Sequence, residues 1–164
     1  MPRRSPERLE TSPRRCEIVE LEFKITIERS PAEVFAFLHD PANDPKWQVG
    51  TIETRQVSEG PVGVGTAFRQ VARSAGRRWV VTYTLTEYDP PVRSALEGRI
   101  GGVRFRGGHA LEPADGGTRL TVSGELAASG LMRLALPLLA PLWKRDAKRS
   151  FPRLKAALET IGEK

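Results

Sequence analysis

The sequence predicts an α+β domain in which a curved antiparallel sheet wraps around one long C-terminal helix. Three features indicate this fold: a capped short helix directly after the first strand, a run of strand-like segments separated by glycine and proline turns, and a long helical segment at the end. A long sheet covered by a single helix must curl around it, and a curled sheet encloses space. We therefore expect an internal cavity that holds an apolar small molecule.

The first strand and the helices after it are predicted from local patterns. Apolar and polar residues alternate from 20 to 28, which is typical of a half-buried strand. Ser30 and Glu33 are spaced as a capping box, so a short helix begins there. It should end before Pro41, because the residue preceding a proline avoids helical dihedral angles. A second short helix or turn is expected over residues 42–46.

The middle of the chain reads as a meander of six further strands. Several of the intervening turns are short enough for hairpins, which makes the sheet antiparallel. Gly107 and Gly108 fall inside a strand pattern, where they predict a bulge or a sharp bend. Such a bulge would leave the facing of the next residue, His109, open. The strands are expected near residues 49–58, 66–74, 77–88, 93–100, 103–112 and 118–127.

The C-terminal segment has helical spacing with one apolar stripe. Three prolines, Pro137, Pro141 and Pro152, interrupt it, and interior prolines kink or break a helix. We therefore expect a kinked or broken helix, with a first part around 130–140 and a main part from about Leu142. The stripe consists of Trp143, Ala147, Phe151, Leu154, Leu158 and Ile161.

The net charge of +6 is unevenly distributed. Residues 1–16 carry five Arg against two Glu, and residues 130–164 carry eight Lys or Arg against three acidic residues, while the middle is slightly acidic. Neither basic cluster has interleaved aromatics, so no nucleic-acid partner is expected. Residues 1–17 are predicted to be a disordered basic tail, either a tether or phosphosite or a segment without function. Residues 18–164 form the folded domain.

Cofactors and export signals are not indicated. Cys16 is the only cysteine, which excludes an intrachain disulfide and a cysteine metal cluster. The two histidines, His39 and His109, have no metal-ligand spacing, so neither a metal nor another cofactor is expected. No segment reads as a secretory signal or a membrane-spanning helix, which favours a cytoplasmic protein. The oligomeric state stays open.

Two segments carry a resemblance to a known family. They are IERSPAEVFAFL over residues 27–38, followed by Asp40 and Trp47, and FPRLKAALE over residues 151–159. From about Ile18 to Ile161 the chain resembles the START-like helix-grip superfamily (SRPBCC), and more closely its polyketide cyclase/dehydrase and lipid-transport group. The resemblance implies a seven-stranded antiparallel sheet that grips the C-terminal helix, with an apolar cavity between them. Members bind or act on polyketides, sterols, lipids, quinones or hormones.

Candidate site residues follow from which side chains should face that cavity. His109 is the candidate catalytic base, since imidazole titrates near neutrality, whereas His39 is expected to stabilise a helix end. Tyr83 is the expected polar anchor, and Arg99 is a candidate partner for a ligand carboxylate. The predicted ligand-binding residues are Trp47, Phe68, Trp79, Tyr83, Arg99, Phe105, Met132, Leu136 and Trp143.

Three functions are compatible with these patterns. The first is binding, and with it transport or sequestration, of a hydrophobic small molecule in the cavity. The second is an aromatase/cyclase-like enzyme that acts on a polyketide-type substrate with His109 as base. The third is salt-dependent docking of the basic C-terminal helix to an anionic membrane or partner.

Overall fold

The computed structural model describes residues 17–161, so the predicted tail lies outside the described residues except for its last position. Seven strands and three α-helices are present in this range, together with a short 3-10 helix, Pro41–Asn43. In chain order they are β1 (Glu17–Ile27), α1 (Pro31–Leu38), α2 (Asp44–Trp47), β2 (Thr51–Gln56), β3 (Ala67–Ser74), β4 (Arg77–Asp89), β5 (Arg93–Ile100), β6 (Val103–Ala114), β7 (Gly117–Ala128) and α3 (Met132–Thr160). The predicted fold class is confirmed.

The strands form one antiparallel sheet in the order β1-β7-β6-β5-β4-β3-β2. Strands β2 to β7 follow one another as hairpins, and β1 joins the sheet beside β7. The two helices that flank these strands in sequence, α1 and α3, therefore meet on the same side of the curved sheet. They bury Phe35, Leu38, Phe151 and Leu154 in a shared core cluster.

The predicted capping box at the start of α1 is confirmed. The hydroxyl of Ser30 accepts a hydrogen bond from the backbone N–H of Glu33, and the carboxylate of Glu33 accepts one from the backbone N–H of Ser30. The preceding residue, Arg29, donates to the carbonyl oxygens of Leu158 and Glu159, at 2.8 and 2.9 Å. These carbonyls lie in the last turn of α3, where backbone acceptors have no intrahelical partner. Arg29 thus ties the start of α1 to the end of α3.

The predicted bulge at Gly107 and Gly108 is wrong. The pairing of β6 with β5 and β7 runs through both glycines without a change of register. A Cβ atom at Gly107 would lie 3.1 Å from the backbone oxygen of Ser123, and one at Gly108 would lie 3.2 Å from that of Ser94. The glycines permit a close approach of neighbouring strands. Because the register is unbroken, His109 faces the same side of the sheet as Phe105.

The predicted break in the C-terminal helix is also wrong, because α3 is continuous over Met132–Thr160. Its three prolines, Pro137, Pro141 and Pro152, all lie on the exposed side of the helix. A proline leaves the carbonyl four residues earlier without its helical donor. Those carbonyls belong to exposed residues, where water can replace the missing donor. The buried face, with Leu136, Leu154 and others, then holds the helix on the sheet.

Two core clusters fix α3 on the sheet. Its C-terminal half packs with α1, Trp47 and β1 in the first cluster, and its N-terminal half packs with Val103 and Leu126 in the second. The predicted apolar stripe holds as far as Leu158, whereas Ile161 is exposed. The two clusters leave space over the central strands.

Candidate functional site

A partly open cavity of about 250 Å³ lies where the end of α1, the 3-10 helix and α2 face strands β3 to β6. Its lining is mainly apolar with a few polar side chains, which is typical of small-molecule sites. None of the cavity-lining residues belongs to α3. The lining residues are Leu38, His39, Pro41, Asp44, Trp47, Gln48, Phe68, Gln70, Val81, Tyr83, Leu85, Leu96, Ile100, Phe105 and His109.

Aromatic rings form the apolar wall of the cavity. Phe68 on β3 and Tyr83 on β4 stack with their ring centroids 5.1 Å apart. Phe105 on β6 pairs across the sheet with Gly98 on β5. A Cβ atom at Gly98 would lie 2.8 Å from the ring of Phe105, so glycine is required there for the ring to take this position.

Trp47 contributes an unsatisfied hydrogen-bond donor. The side chain is only 6% exposed, and it is the one residue in 17–161 with a buried side-chain polar atom, Nε1, that has no hydrogen-bond partner. A buried N–H without an acceptor costs about 1–3 kcal/mol. Buried polar groups in proteins are almost always paired. Because Nε1 is also almost inaccessible, an acceptor atom on a bound molecule would reach it only after a small movement of the Trp47 ring.

A chain of hydrogen bonds joins the two histidines. His39 Nδ1 lies 2.8 Å from the carbonyl oxygen of Phe35, His39 Nε2 lies 2.9 Å from Ser94 Oγ, and Ser94 Oγ lies 3.2 Å from His109 Nδ1. A carbonyl only accepts, so His39 Nδ1 carries the hydrogen and its Nε2 accepts from Ser94. The Ser94 oxygen then accepts from Nδ1 of His109. With its hydrogen on Nδ1, the neutral ring of His109 has an unprotonated Nε2.

Both histidines are neutral at physiological pH. Burial lowers the pKa of His39, against the opposing effect of its bond to Phe35. Burial, reinforced by the neighbouring His39, lowers the pKa of His109 to about 4. The sequence predicted that His39 brings a positive charge to the end of α1. The neutral ring does not do so. His39 ends that helix with a neutral ring, which stacks on Phe35 at a centroid distance of 4.1 Å.

Asp44 is a buried carboxyl in the lining. Gln70 Nε2 lies 3.5 Å from Asp44 Oδ2 and 2.8 Å from Gln48 Oε1. Burial raises the pKa of Asp44 to about 7, although hydrogen bonds from Thr54 and Gln70 partly oppose the shift. Burial and the charge of Asp44 both raise the pKa of Tyr83. Tyr83 is therefore protonated and available as a donor.

The structure brings five of the predicted site residues together in the cavity lining: Trp47, Phe68, Tyr83, Phe105 and His109. The other predicted residues lie elsewhere. Trp79 and Trp143 form an edge-to-face pair, with centroids 5.4 Å apart, between β4 and α3. Met132 and Leu136 belong to the second core cluster. Arg99 is exposed on the outer face of the sheet, on the side opposite Gly98 and Ile100.

Sequence reasoning missed His39, Asp44 and Gln70 as part of the site. His39 follows α1, and its partner Ser94 pairs directly with His109 in the β5–β6 register. That register was implied by the short turn between the two predicted strands, and it would have placed a serine beside the histidine. Nothing in the sequence pattern indicates that the end of α1 reaches the same point.

No helix within residues 17–161 is long and apolar enough to cross a membrane. No group of three or more His, Cys, Asp or Glu side chains in that range is arranged to hold a metal ion.

The family profile described as polyketide cyclase / dehydrase and lipid transport matches residues 19–159, nearly the whole described range. The chain belongs to this family, within the SRPBCC superfamily that the sequence resembled. No curated protein matches the chain in sequence.

Solved structures of the same fold include an aromatase/cyclase, Zhui, from Streptomyces sp. R1128. It has a TM-score of 0.75 and 14% identity, and the match covers 88% of this chain and 95% of that one. A protein from Thermus thermophilus has a TM-score of 0.73 and 17% identity, with 88% and 99% covered. A protein of unknown function from Staphylococcus aureus has a TM-score of 0.71 and 12% identity, with 91% and 98% covered. At these identities the likeness shows the fold.

Replacement of Asp44 should change how stability depends on pH. The folded-state pKa of about 7 lies above the ordinary value of 3.8, so the carboxyl takes up a proton on folding between these two pH values. The wild type then loses stability as pH rises from about 4 to about 7. The side chain of Asp44→Asn does not titrate. The free energy of unfolding of this variant, relative to that of the wild type, should therefore rise by about 4 kcal/mol across that window. Urea unfolding of both proteins at several pH values measures this difference.

The comparison with the wild type also isolates Asp44 from the histidines. His39 and His109 have lowered pKa values and so remove stability as pH falls, but both proteins contain them and their contribution cancels. Asp115→Asn, in the exposed turn between β6 and β7, is the matched control. A difference between Asp44→Asn and the wild type that stays constant with pH would contradict a buried, protonated Asp44.

Proposed function

We propose that the chain binds a compact, mainly apolar molecule that carries a polar oxygen in the cavity between α1, α2 and strands β3 to β6. The cavity, lined by three aromatic rings and by the polar groups of Tyr83 and His109, is the observation that carries this proposal. The ring wall of Phe68, Tyr83 and Phe105 contacts the apolar part of the bound molecule. A small movement of the Trp47 ring lets an oxygen on that molecule supply the acceptor that Nε1–H lacks.

The volume and the lining limit the ligand. A space of about 250 Å³ suits a molecule of two or three fused rings and is too small for an intact diacyl lipid. An aromatic group of this kind buries about 200 Å². At about 25 cal/mol per Å², that burial contributes about 5 kcal/mol, so most of the affinity comes from apolar contact. The polar groups then set orientation.

The polar groups of the lining offer both kinds of hydrogen bond. Trp47 and the protonated Tyr83 donate, whereas the unprotonated Nε2 of His109 accepts. Both histidines are neutral, so the cavity presents little charge at that end. This combination favours a neutral ligand with a carbonyl or hydroxyl group over an anion, which the partly ionised Asp44 would also repel.

A pair of related probes tests the role of Trp47. The wild type should bind 2-naphthol more tightly than naphthalene, because only the first has an oxygen that can accept from Nε1. Trp47→Phe keeps an aromatic ring but removes the donor, so its affinity for 2-naphthol should fall about tenfold while that for naphthalene changes little. Fluorescence titration or calorimetry gives the four dissociation constants.

The control for that experiment is Trp79→Phe, which removes an indole N–H that already donates to the Ser74 carbonyl outside the cavity. It should leave the preference for 2-naphthol unchanged. The proposal is wrong if the wild type binds neither probe, or if Trp47→Phe binds 2-naphthol as tightly as the wild type.

A second candidate is an aromatase/cyclase-like reaction in which His109 acts as a base. The hydrogen-bond chain from Phe35 through His39 and Ser94 favours it, because this chain holds the His109 ring and leaves Nε2 unprotonated. Nε2 would take the α-proton of a bound ketone, and Tyr83 would donate to the enolate oxygen that forms. A base with a pKa of about 4 is weak for this task at neutral pH, so binding remains the first proposal.

Deuterium exchange at the α-carbon of 1-tetralone in D₂O tests this second candidate. The wild type should accelerate exchange at a rate that is level from about pH 5 upward, since His109 is unprotonated throughout that range. His109→Ala should abolish the acceleration and leave the affinity for 1-tetralone largely intact. If the affinity falls and the acceleration persists, His109 is a binding residue and not a base. Mass spectrometry of recovered ketone measures the exchange.

A further inference from the structure

Three leucines on α3 and its cap are exposed to solvent. Leu131 is 85% exposed, Leu134 is 67% exposed and Leu138 is 76% exposed. We name these three residues the outer leucine stripe. They recur at spacings of three and four residues, so they share one face of the helix. That face is opposite the buried one, which presents Leu136 and Ala140 to the sheet.

The same outer face becomes basic further along the helix. Arg145 and Arg149 continue the three- and four-residue spacing beyond Leu138, and both are exposed. Over the whole of α3, seven basic residues stand against two acidic ones, Asp146 and Glu159. Within residues 17–161 only Lys155 among the seven forms an ion pair, with Glu159. The basic residues are Arg133, Lys144, Arg145, Lys148, Arg149, Arg153 and Lys155.

We infer that the outer face of α3 docks on the surface of an anionic lipid bilayer. The outer leucine stripe enters the boundary between headgroups and acyl chains, and Arg145 and Arg149 with their basic neighbours contact the lipid phosphates. Attachment of a helix to a membrane surface strengthens with the apolar area that it buries and with the attraction of Lys and Arg to anionic lipids. Since α3 is not apolar enough to span a bilayer, it would lie along the surface.

Charge complementarity selects a lipid surface over a second copy of the chain. An antiparallel or parallel pairing of two outer faces would bring strongly basic helices together, and like charges repel. An anionic bilayer relieves that repulsion and covers the leucines at the same time. Either contribution is weak by itself, and their combination gives stable yet salt-sensitive attachment.

This surface is independent of the cavity. No residue of α3 lines the cavity. A negative result for membrane docking would therefore leave the proposed ligand binding unaffected, and the reverse also holds.

Co-sedimentation of the full chain with vesicles tests the inference. The vesicles are phosphatidylcholine alone or phosphatidylcholine mixed with phosphatidylglycerol. The chain should bind the mixed vesicles at about 0.1 M salt, and this binding should be lost at about 1 M salt, where the Debye length falls to about 3 Å. Binding to phosphatidylcholine alone should be at least about tenfold weaker, because neutral vesicles lack the electrostatic attraction.

Two double variants separate the contributions of leucine and arginine. Leu134→Ala with Leu138→Ala should weaken binding to the mixed vesicles at least about tenfold, since buried methylene groups are lost without any change in charge. Arg145→Glu with Arg149→Glu should weaken it similarly and flatten its salt dependence. All four residues are exposed, so circular dichroism and thermal unfolding should match the wild type.

Matched controls lie outside α3. Val57→Ala with Val64→Ala removes exposed apolar residues outside α3, and Arg69→Glu with Arg104→Glu makes the same charge change there. Both should bind vesicles like the wild type. The inference is overturned if the wild type does not bind mixed vesicles, or if binding ignores salt and the leucine substitutions. It is also overturned if ultracentrifugation shows a dimer that the leucine variant disrupts while vesicle binding is unaffected.

Discussion

The pairing of β1 with β7 is the constraint on which the other features depend. It returns the first strand to the last one, across the whole length of Glu17–Ile27. The helices that flank these strands therefore come to the same side of the sheet, where Arg29 joins the start of α1 to the end of α3. Because α1 and α2 follow β1 directly, they are held opposite the central strands, and the cavity forms between them.

The cavity lining is mostly uncharged, whereas the surface of α3 is strongly basic. Inside, burial keeps His39 and His109 neutral and Tyr83 protonated. Asp44, with a pKa of about 7, is the one cavity group whose charge changes near physiological pH. Outside, the seven basic and two acidic residues of α3 give this helix a net positive charge next to exposed leucines, whereas the rest of the described range is slightly acidic. The proposed ligand site and the proposed docking surface thus lie on different parts of the chain.

Local patterns were sufficient to predict the secondary structure. Alternation, turn residues and the Ser30–Glu33 capping box depend on neighbours in sequence, and each of the seven strands was expected close to its observed position. The errors arose where the environment decides the outcome. Gly107 and Gly108 permit close strand contact without a bulge, and exposure of the three prolines in α3 lets water satisfy the freed carbonyls.

The site could be predicted only in part for the same reason. Phe68, Tyr83 and Phe105 lie on strand faces that alternation identifies, so their inward direction follows from the sequence. The link from His39 through Ser94 to His109 joins a helix end to two strands, and such a contact depends on the packing of α1 against the sheet. The spacing of residues in the sequence does not show how α1 packs against the sheet.

Native mass spectrometry of gently purified protein, followed by solvent extraction, shows whether the cavity holds a small oxygen-bearing molecule. We expect a discrete added mass that extraction removes, from a neutral molecule of two or three rings with at least one oxygen. We also expect Trp47→Phe to retain less of this molecule than the wild type. A bound species that is an intact diacyl lipid, or one that Trp47→Phe retains fully, would contradict a small oxygen-bearing ligand paired with Trp47.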